Sequence, residues 1–203
     1  MSRSVRRGLA AIGLCACLSA GAAASEQAAA IKDGAVLGVR SGMTLIEARR
    51  AAPSLSWDYE PTFMVDFSAL CAAKSAENRA EDTLFCARIE ESATERPGAR
   101  IVVIAAIGKD LATPEGVGPG MTVAAASAIY GAADLSYNLE NEARETLSFA
   151  KAPEWLGFAA ASESTESRYA GVYPPLPKGA TIQTTSEFAE DAVIEMLWVN
   201  AEP

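Results

Sequence analysis

Apolar residues recur at helical spacing in two short segments of the chain. The first stripe is Leu45, Ala48 and Ala52, and the second is Val123, Ala126, Ile129 and Tyr130. Pro53 is expected to end the first helix, and Gly131 stands where a C-cap glycine would end the second. Helices of about nine residues are marginal on their own. Both must therefore pack on a larger layer.

Period-two and continuous apolar runs predict that this layer is a sheet. Phe63, Val65 and Phe67 alternate with Met64 and Asp66, which predicts one strand there. The other predicted strands are 83–89, 100–107, 145–150, 155–158, 181–184 and 192–199. The run 100–107 is apolar almost throughout and predicts a central strand.

The two helices begin with the same motif, 78 positions apart. The motif residues are Gly42, Met43 and Thr44 in the first copy, and Gly120, Met121 and Thr122 in the second. Each threonine is a good N-cap, and Glu47 completes a capping box in the first copy. Each glycine suits a tight entry turn. We therefore predict an α+β fold of two similar units, 25–110 and 111–203. Each is a short helix followed by an antiparallel β-meander, with the helices on one side of the sheet.

Residues 1–24 carry the pattern of an export signal. Three arginines precede the uncharged stretch Gly8 to Ala20, which is about half the length that a membrane-spanning helix needs. Ala22-Ala23-Ala24 then supplies small residues for cleavage. The alternative is lipidation at Cys17, which follows a loose lipobox and would place the protein at the outer membrane. The expected location is the periplasm, with membrane contact only if Cys17 is lipidated.

The charge balance argues against nucleic acid as a partner. The chain has 17 basic and 26 acidic residues. Removal of 1–24 takes away three arginines and no acids, so 14 basic residues remain and the net charge changes from −9 to about −12. Such a charge keeps a domain in solution and repels phosphate backbones and anionic lipid.

Two cysteines remain after the signal, and they predict a disulfide. Cys71 and Cys86 are 15 residues apart, and an exported protein meets an oxidising environment. In the chain-entropy model a loop of this size contributes about 3 kcal/mol. A metal or redox pair is disfavoured, because the chain has no histidine and no Cys-x-x-Cys spacing.

Catalytic motifs are not found in the sequence. Without histidine, Ser-His-Asp and Cys-His catalysis and most zinc sites are excluded. There is no Walker loop and no dinucleotide-binding glycine motif. Three acidic pairs could in principle act on glycosides, and they are Glu90-Glu91, Glu140/Glu142 and Glu190-Asp191. The glycines 116, 118 and 120 could in principle receive an anion at a helix start. We expect no cofactor and no enzymatic activity.

The Gly-Met-Thr helix start, with Gly131 nine residues after Thr122, resembles the helix of the SmpA/OmlA small outer-membrane lipoproteins. Two such units, with a Cys pair in the first, look like the tandem repeats of β-lactamase inhibitory proteins. The second half is also similar to an envelope-stress lipoprotein family through Gly116-Val117 and Leu197-Trp198. The inhibitors carry a disulfide in each half, whereas this chain has no cysteine after Gly108. The resemblance implies a fold and does not imply inhibition.

The leading functional hypothesis is a non-enzymatic periplasmic domain that binds an envelope protein or assists assembly there. An inhibitor of a hydrolase such as lysozyme or β-lactamase is the alternative, and a carboxylate-based hydrolase is a distant third. The position of the aromatic rings would discriminate, because a binding face exposes them and a scaffold buries them. The rings in question are Trp57, Tyr59, Tyr137, Trp155, Tyr169, Tyr173 and Trp198.

Mass spectrometry of the protein purified from periplasm tests the cleavage of the export signal and the disulfide together. We expect the mass of residues 25–203 less two hydrogens, because Ala24 is the cleavage site and Cys71 is bonded to Cys86. A mass that begins at Cys17 and carries acyl chains would contradict cleavage at Ala24.

Overall fold

The computed structural model of the protein describes residues 30–64, 67–90, 98–141, 143–162 and 169–200. The predicted signal and Cys17 lie outside these residues. Within them, no helix is long and apolar enough to cross a membrane.

Three two-residue strands open the described chain and form a small antiparallel sheet. They are β1 (Ile31–Lys32), β2 (Ala35–Val36) and β3 (Val39–Arg40). Asp33-Gly34 and Leu37-Gly38 connect them, and all four turn residues have positive φ, as two-residue type I′ turns require. The sequence analysis did not predict these hairpins, although Asp-Gly is a strong signal for them. The small sheet belongs to the core, since Ile31, Val36 and Val39 are fully buried.

The helices are short and begin as their caps predict. Helix α1 is Leu45–Ala51, and its capping box joins Thr44 and Glu47. Helix α2 is a single turn, Arg79–Asp82. Helix α3 is Val123–Tyr130; the Thr122 side chain caps it, and Gly131 follows with φ of 86°. The predicted apolar stripes are buried, except that Ile129 is exposed.

Nine strands form one antiparallel sheet. In chain order they are β4 (Ser56–Met64), β5 (Phe67–Ala73), β6 (Thr83–Ile89), β7 (Ile101–Ala106), β8 (Ala133–Asn138), β9 (Glu145–Phe149), β10 (Leu156–Ser162), β11 (Ile182–Thr185) and β12 (Ala192–Val199). Across the sheet the order is β11-β8-β9-β10-β12-β7-β6-β5-β4. The predicted central strand, β7, lies near the middle of the sheet beside β12.

The predicted fold class is wrong. Among the residues that the structure describes, 43% are in strands and 13% in helices, and nine of the strands join one sheet instead of two helix-plus-meander units. The pattern missed β8 and most of β5, and it predicted only the first part of β10. The missed parts of β5 and β10 are rich in alanine, which favours helix intrinsically and carries no β signal. In this fold the small alanine side chains instead let neighbouring parts of the chain pack close to the sheet.

Six strands of the large sheet were predicted, whereas β8 was not, and one predicted strand is wrong. Strands β6, β7, β9, β10, β11 and β12 lie where the apolar runs placed them, within a few residues. The single strand predicted across Phe63 to Phe67 does not exist, because Met64 pairs with Phe67 across a hairpin. Alternation alone cannot detect such a reversal, since both arms of a hairpin alternate.

The two faces of the large sheet differ in what covers them. On the core face, α1 and α3 cover side chains such as Phe85, Ile104, Leu135 and Ile194, which are fully buried. The opposite face of β8, β9, β10 and β12 is lined mostly by exposed or half-exposed residues, many of them small, although Met196 of β12 is buried there. The core face therefore holds the apolar interior, and the opposite face carries a more polar and more exposed lining.

The predicted disulfide is confirmed. Cys71 and Cys86 are directly opposed on β5 and β6, and their sulfurs are bonded at 2.01 Å. The bond closes the hairpin whose turn contains α2. Both cysteines lie on the second face of the sheet beside Ala69, where they are almost fully buried.

Gly118 gives a stability test of the connection between β7 and α3. A β-carbon at Gly118 would overlap the carbonyl oxygen of Leu111, and backbone cannot rotate away as a side chain can. We expect Gly118→Ala to lower the free energy of unfolding by about 2–4 kcal/mol in urea titrations. Gly98→Ala is the control, because nothing lies within 4 Å of its added carbon. Equal effects of the two changes would show that the close approach is unimportant.

Candidate functional site

The two Gly-Met-Thr motifs dock on the two central strands through corresponding backbone bonds. Gly42 N–H donates to Ile101 O (2.8 Å), and Ile101 N–H donates to Met43 O (2.9 Å). In the other copy, Gly120 N–H donates to Ile194 O and Ile194 N–H donates to Met121 O, both at 2.8 Å. Gly42 and Gly120 have φ of 81° and 85°, which only glycine adopts readily. The motif residues therefore fasten helix starts to β7 and β12 and do not meet in one site.

The glycine-rich segment before α3 takes part in a hydrogen-bond network with the end of that helix. Tyr130 OH donates to Glu115 at 2.8 Å and lies 2.9 Å from the hydroxyl of Thr113, which accepts from Val117 N–H. The Tyr130 hydrogen bond holds the pKa of the Glu115 carboxyl below its ordinary value. The network therefore ties the segment before α3 to Tyr130, the last residue of that helix.

Of the three candidate acidic pairs, only Glu190-Asp191 lies wholly within the described residues. Glu91 and Glu142 lie outside the described residues, so their pairs with Glu90 and Glu140 are not placed. The side chain of Asp191 accepts from the Ser162 hydroxyl at 3.1 Å, which is a surface contact between β10 and the start of β12. No group of three potential metal ligands occurs in the ranges that the structure describes.

Most of the aromatic rings pack on the core side of the sheet. Trp57 contacts Phe85 edge-on with centroids 5.5 Å apart, and Tyr59 and Trp155 pack against the core while remaining half-buried. Trp198 is the exception, because its neighbours in sequence, Leu197 and Val199, point into the core. Of the aromatic rings considered from the sequence, Trp198 therefore lies on the open face.

Three tyrosines fasten the segment 169–173 to the core side of β8. The rings of Tyr137 and Tyr169 are stacked with centroids 4.6 Å apart, and Tyr173 meets both edge-on. The Tyr137 hydroxyl donates to Gln183 at 2.7 Å, which ties the same cluster to β11. Tyr169 also lines a cavity at the open face, so the cluster holds one wall of that cavity in place.

Glu145 is the anchor of this segment. Its carboxylate accepts hydrogen bonds from Ala170 N–H (2.7 Å), Gly171 N–H (2.9 Å) and Tyr173 OH (2.8 Å). A β-carbon at Gly171 would lie 2.9 Å from Glu145 Oε1 and 2.7 Å from the Tyr173 ring, so one of these side chains would have to move to admit it. Sequence reasoning placed Glu145 at the start of a strand but missed this role, because its partners lie 25 to 28 residues away.

A cavity of about 350 Å³ lies on the open face beside this anchor. Its floor is Ala159 and Ala161 of β10, and Trp198 and Met196 of β12 form an apolar side. Gly157 pairs with Trp198, and a β-carbon at Gly157 would lie 3.4 Å from Trp198 Cβ and 3.9 Å from Cδ1, so the indole lies close to the glycine. Thr146, Arg144 and Glu195 add polar groups to the lining. Glu195 is exposed and has no hydrogen bond or ion pair within the described part of the chain.

No protein family, curated protein or solved structure was found to match this chain. Its function must therefore be argued from the site itself. We call the surface formed by Thr146, Ala159, Ala161, Glu195, Met196 and Trp198 the Trp198 face.

The buried Tyr130 and the half-buried Tyr173 predict a loss of stability in alkali. Burial raises the pKa of Tyr130 to about 12, and burial with the Glu145 contact raises that of Tyr173 further. The unfolded chain releases these protons near pH 10, so the stabilisation is complete below that pH and is lost as the pH rises towards and beyond 12. We expect the free energy of unfolding to fall by at most about 1.4 kcal/mol per pH unit for each tyrosine.

Urea titrations between about pH 8 and 11 measure this slope. Tyr173→Phe should make the slope shallower, because it removes one of the two hydroxyls. Tyr59→Phe is the matched control, since the Tyr59 hydroxyl has no hydrogen bond among the described residues. An unchanged slope in Tyr173→Phe would contradict the assignment.

Proposed function

We propose that this protein is a non-enzymatic binding domain of the bacterial periplasm that binds another envelope protein through the Trp198 face. The observation that carries the proposal is the cavity of about 350 Å³ on the second face of the sheet. There the half-exposed Trp198 and the largely buried Met196 line a cavity with an alanine floor. Aromatic anchors and adaptable methionines beside small pockets are typical of the energetic centres of protein interfaces.

The charge of the face indicates the kind of partner. Glu195 and Arg144 line the cavity, Asp134 is exposed on β8, and the chain as a whole carries a net charge of −9. Complementary charge accelerates association and excludes like-charged competitors. A partner that inserts an apolar side chain into the cavity, flanked by lysine or arginine, fits this surface.

The rigidity of the face also suits binding. The cavity floor belongs to strands inside the sheet, and the Glu145 hydrogen bonds hold its Tyr169 wall to the sheet. A surface that is ordered before binding loses little conformational entropy on association. Inhibition of a basic hydrolase is the alternative form of this proposal, because an acidic rigid face would be complementary to such an enzyme.

Site-specific photo-crosslinking in the periplasm tests the proposal. A benzophenone amino acid replaces Thr146, which is exposed on the Trp198 face, or Ala124, which is exposed on α3 on the other side of the sheet. We expect a discrete adduct from position 146 and none from position 124. Equal adducts from both positions, or none from 146, would contradict the proposal.

A charge reversal then tests the recognised chemistry with the purified partner. We expect Glu195→Arg to weaken binding by about tenfold or more, because it places a cation where the partner presents one. Glu77→Arg makes the same charge change in the exposed turn between β5 and β6 and should leave the affinity within about twofold. If the adduct identifies a hydrolase, slowing of that enzyme by wild type but not by Glu195→Arg supports the inhibitor form.

A further inference from the structure

A second cavity, of about 400 Å³, lies between α1 and the first half of the sheet. Leu45 and Ile46 of α1 form one wall. Trp57 and Tyr59 of the edge strand β4 form the opposite wall, and Leu70 of β5 lies between them. This cavity is on the core side of the sheet, so it is separate from the Trp198 face.

The cavity exists because α1 is too short to cover the edge of the sheet. The helix has seven residues, and Pro53 follows its end closely. Trp57 and Tyr59 consequently remain half-buried, and Ile46 is 45% exposed. Apolar side chains gathered around one opening have an unfavourable contact with water that a ligand could remove. The volume falls in the range of small-molecule sites.

Two charged side chains line this cavity, and one of them already has an ion-pair partner. Asp58 lies 3.5 Å from the Arg79 guanidinium, so its negative charge is compensated. Arg49 also lines the cavity, is exposed, and has no ion pair or hydrogen bond among the described residues. The Tyr59 hydroxyl likewise has no hydrogen bond in that part of the chain. The lining therefore offers an apolar chamber, one uncompensated cation and a spare hydroxyl.

From this combination we infer that the cavity binds a small organic carboxylate with an aromatic or branched aliphatic body. The body replaces water against Trp57, Leu70 and Ile46. The carboxylate pairs with the Arg49 guanidinium, whose planar fork matches two carboxylate oxygens. A neutral molecule of the same shape would bind more weakly, because it leaves the guanidinium without a partner.

The probe for the test is 2-naphthoate, with 2-naphthamide as its uncharged analogue. Titration of the mature, disulfide-bonded protein is followed in two-dimensional nitrogen–proton NMR spectra. We expect saturable shifts of the Trp57 indole and of the amides of α1 with naphthoate. We expect naphthamide to bind at least about fivefold more weakly than naphthoate. Shifts that do not saturate, or that do not include Trp57 and α1, would overturn the inference.

Two neighbouring arginines supply the matched variants. Arg49→Gln should weaken naphthoate binding about five- to tenfold and leave naphthamide unchanged, because it removes only the ion pair. Arg50→Gln changes the next residue of the same helix, which does not line the cavity, and should leave both affinities unchanged. Equal losses in the two variants would overturn the role of Arg49.

A third variant covers the case in which Arg49→Gln alters the helix. Ile46→Trp places a larger ring at the exposed mouth of the cavity and should abolish binding of both probes while the fold persists. If Ile46→Trp instead weakens the photo-crosslink to the protein partner, and naphthoate does not bind to wild type, the cavity receives a protein side chain and the inference is wrong.

Discussion

The pairing of β7 with β12 joins the two halves of the chain into one sheet. Leu197 is opposite Ala106, and Val199 is opposite Ile104, so the core face is continuous across the junction. Without this pairing, each half would end in an apolar edge strand with unsatisfied backbone groups, which is a template for aggregation. The same two strands receive both Gly-Met-Thr turns through backbone bonds. The position of both main helices therefore depends on this junction.

The junction also determines what the second face of the sheet offers. Trp198 is opposite Ala105 on one side and Gly157 on the other, and Cys86 continues the same row opposite Ala105. Ala105 and Cys86 are almost fully buried in this row, whereas Trp198 is half-exposed. The chemistry proposed for the Trp198 face thus follows from strand register, since a slip of one residue would turn Trp198 into the core and Leu197 out.

The side chains that α1 and α3 place over the core side of the sheet explain the cavity between α1 and β4. In the second half, Tyr130 of α3 packs against Phe149 and Phe158. In the first half, α1 presents the small Ala48 to the sheet, and the aromatic rings of β4 stay half-buried. Two short helices with different side chains on similar strands therefore leave a filled core on one side of the junction and a ligand-sized gap on the other.

Local chemistry was predictable from the sequence by itself. The capping box at Thr44, the glycine turns at 42 and 120, and the Cys71–Cys86 pair depend on residues close in the chain, and strand runs such as 192–199 depend on side-chain type. What the sequence did not determine was how many strands exist and which of them pair, because alanine-rich strands carry little β signal. Strand partners and the donors around Glu145 come from distant residues, whose meeting depends on the packing of the whole core. The tertiary structure alone decided which tryptophan faces outward and where α1 leaves a cavity.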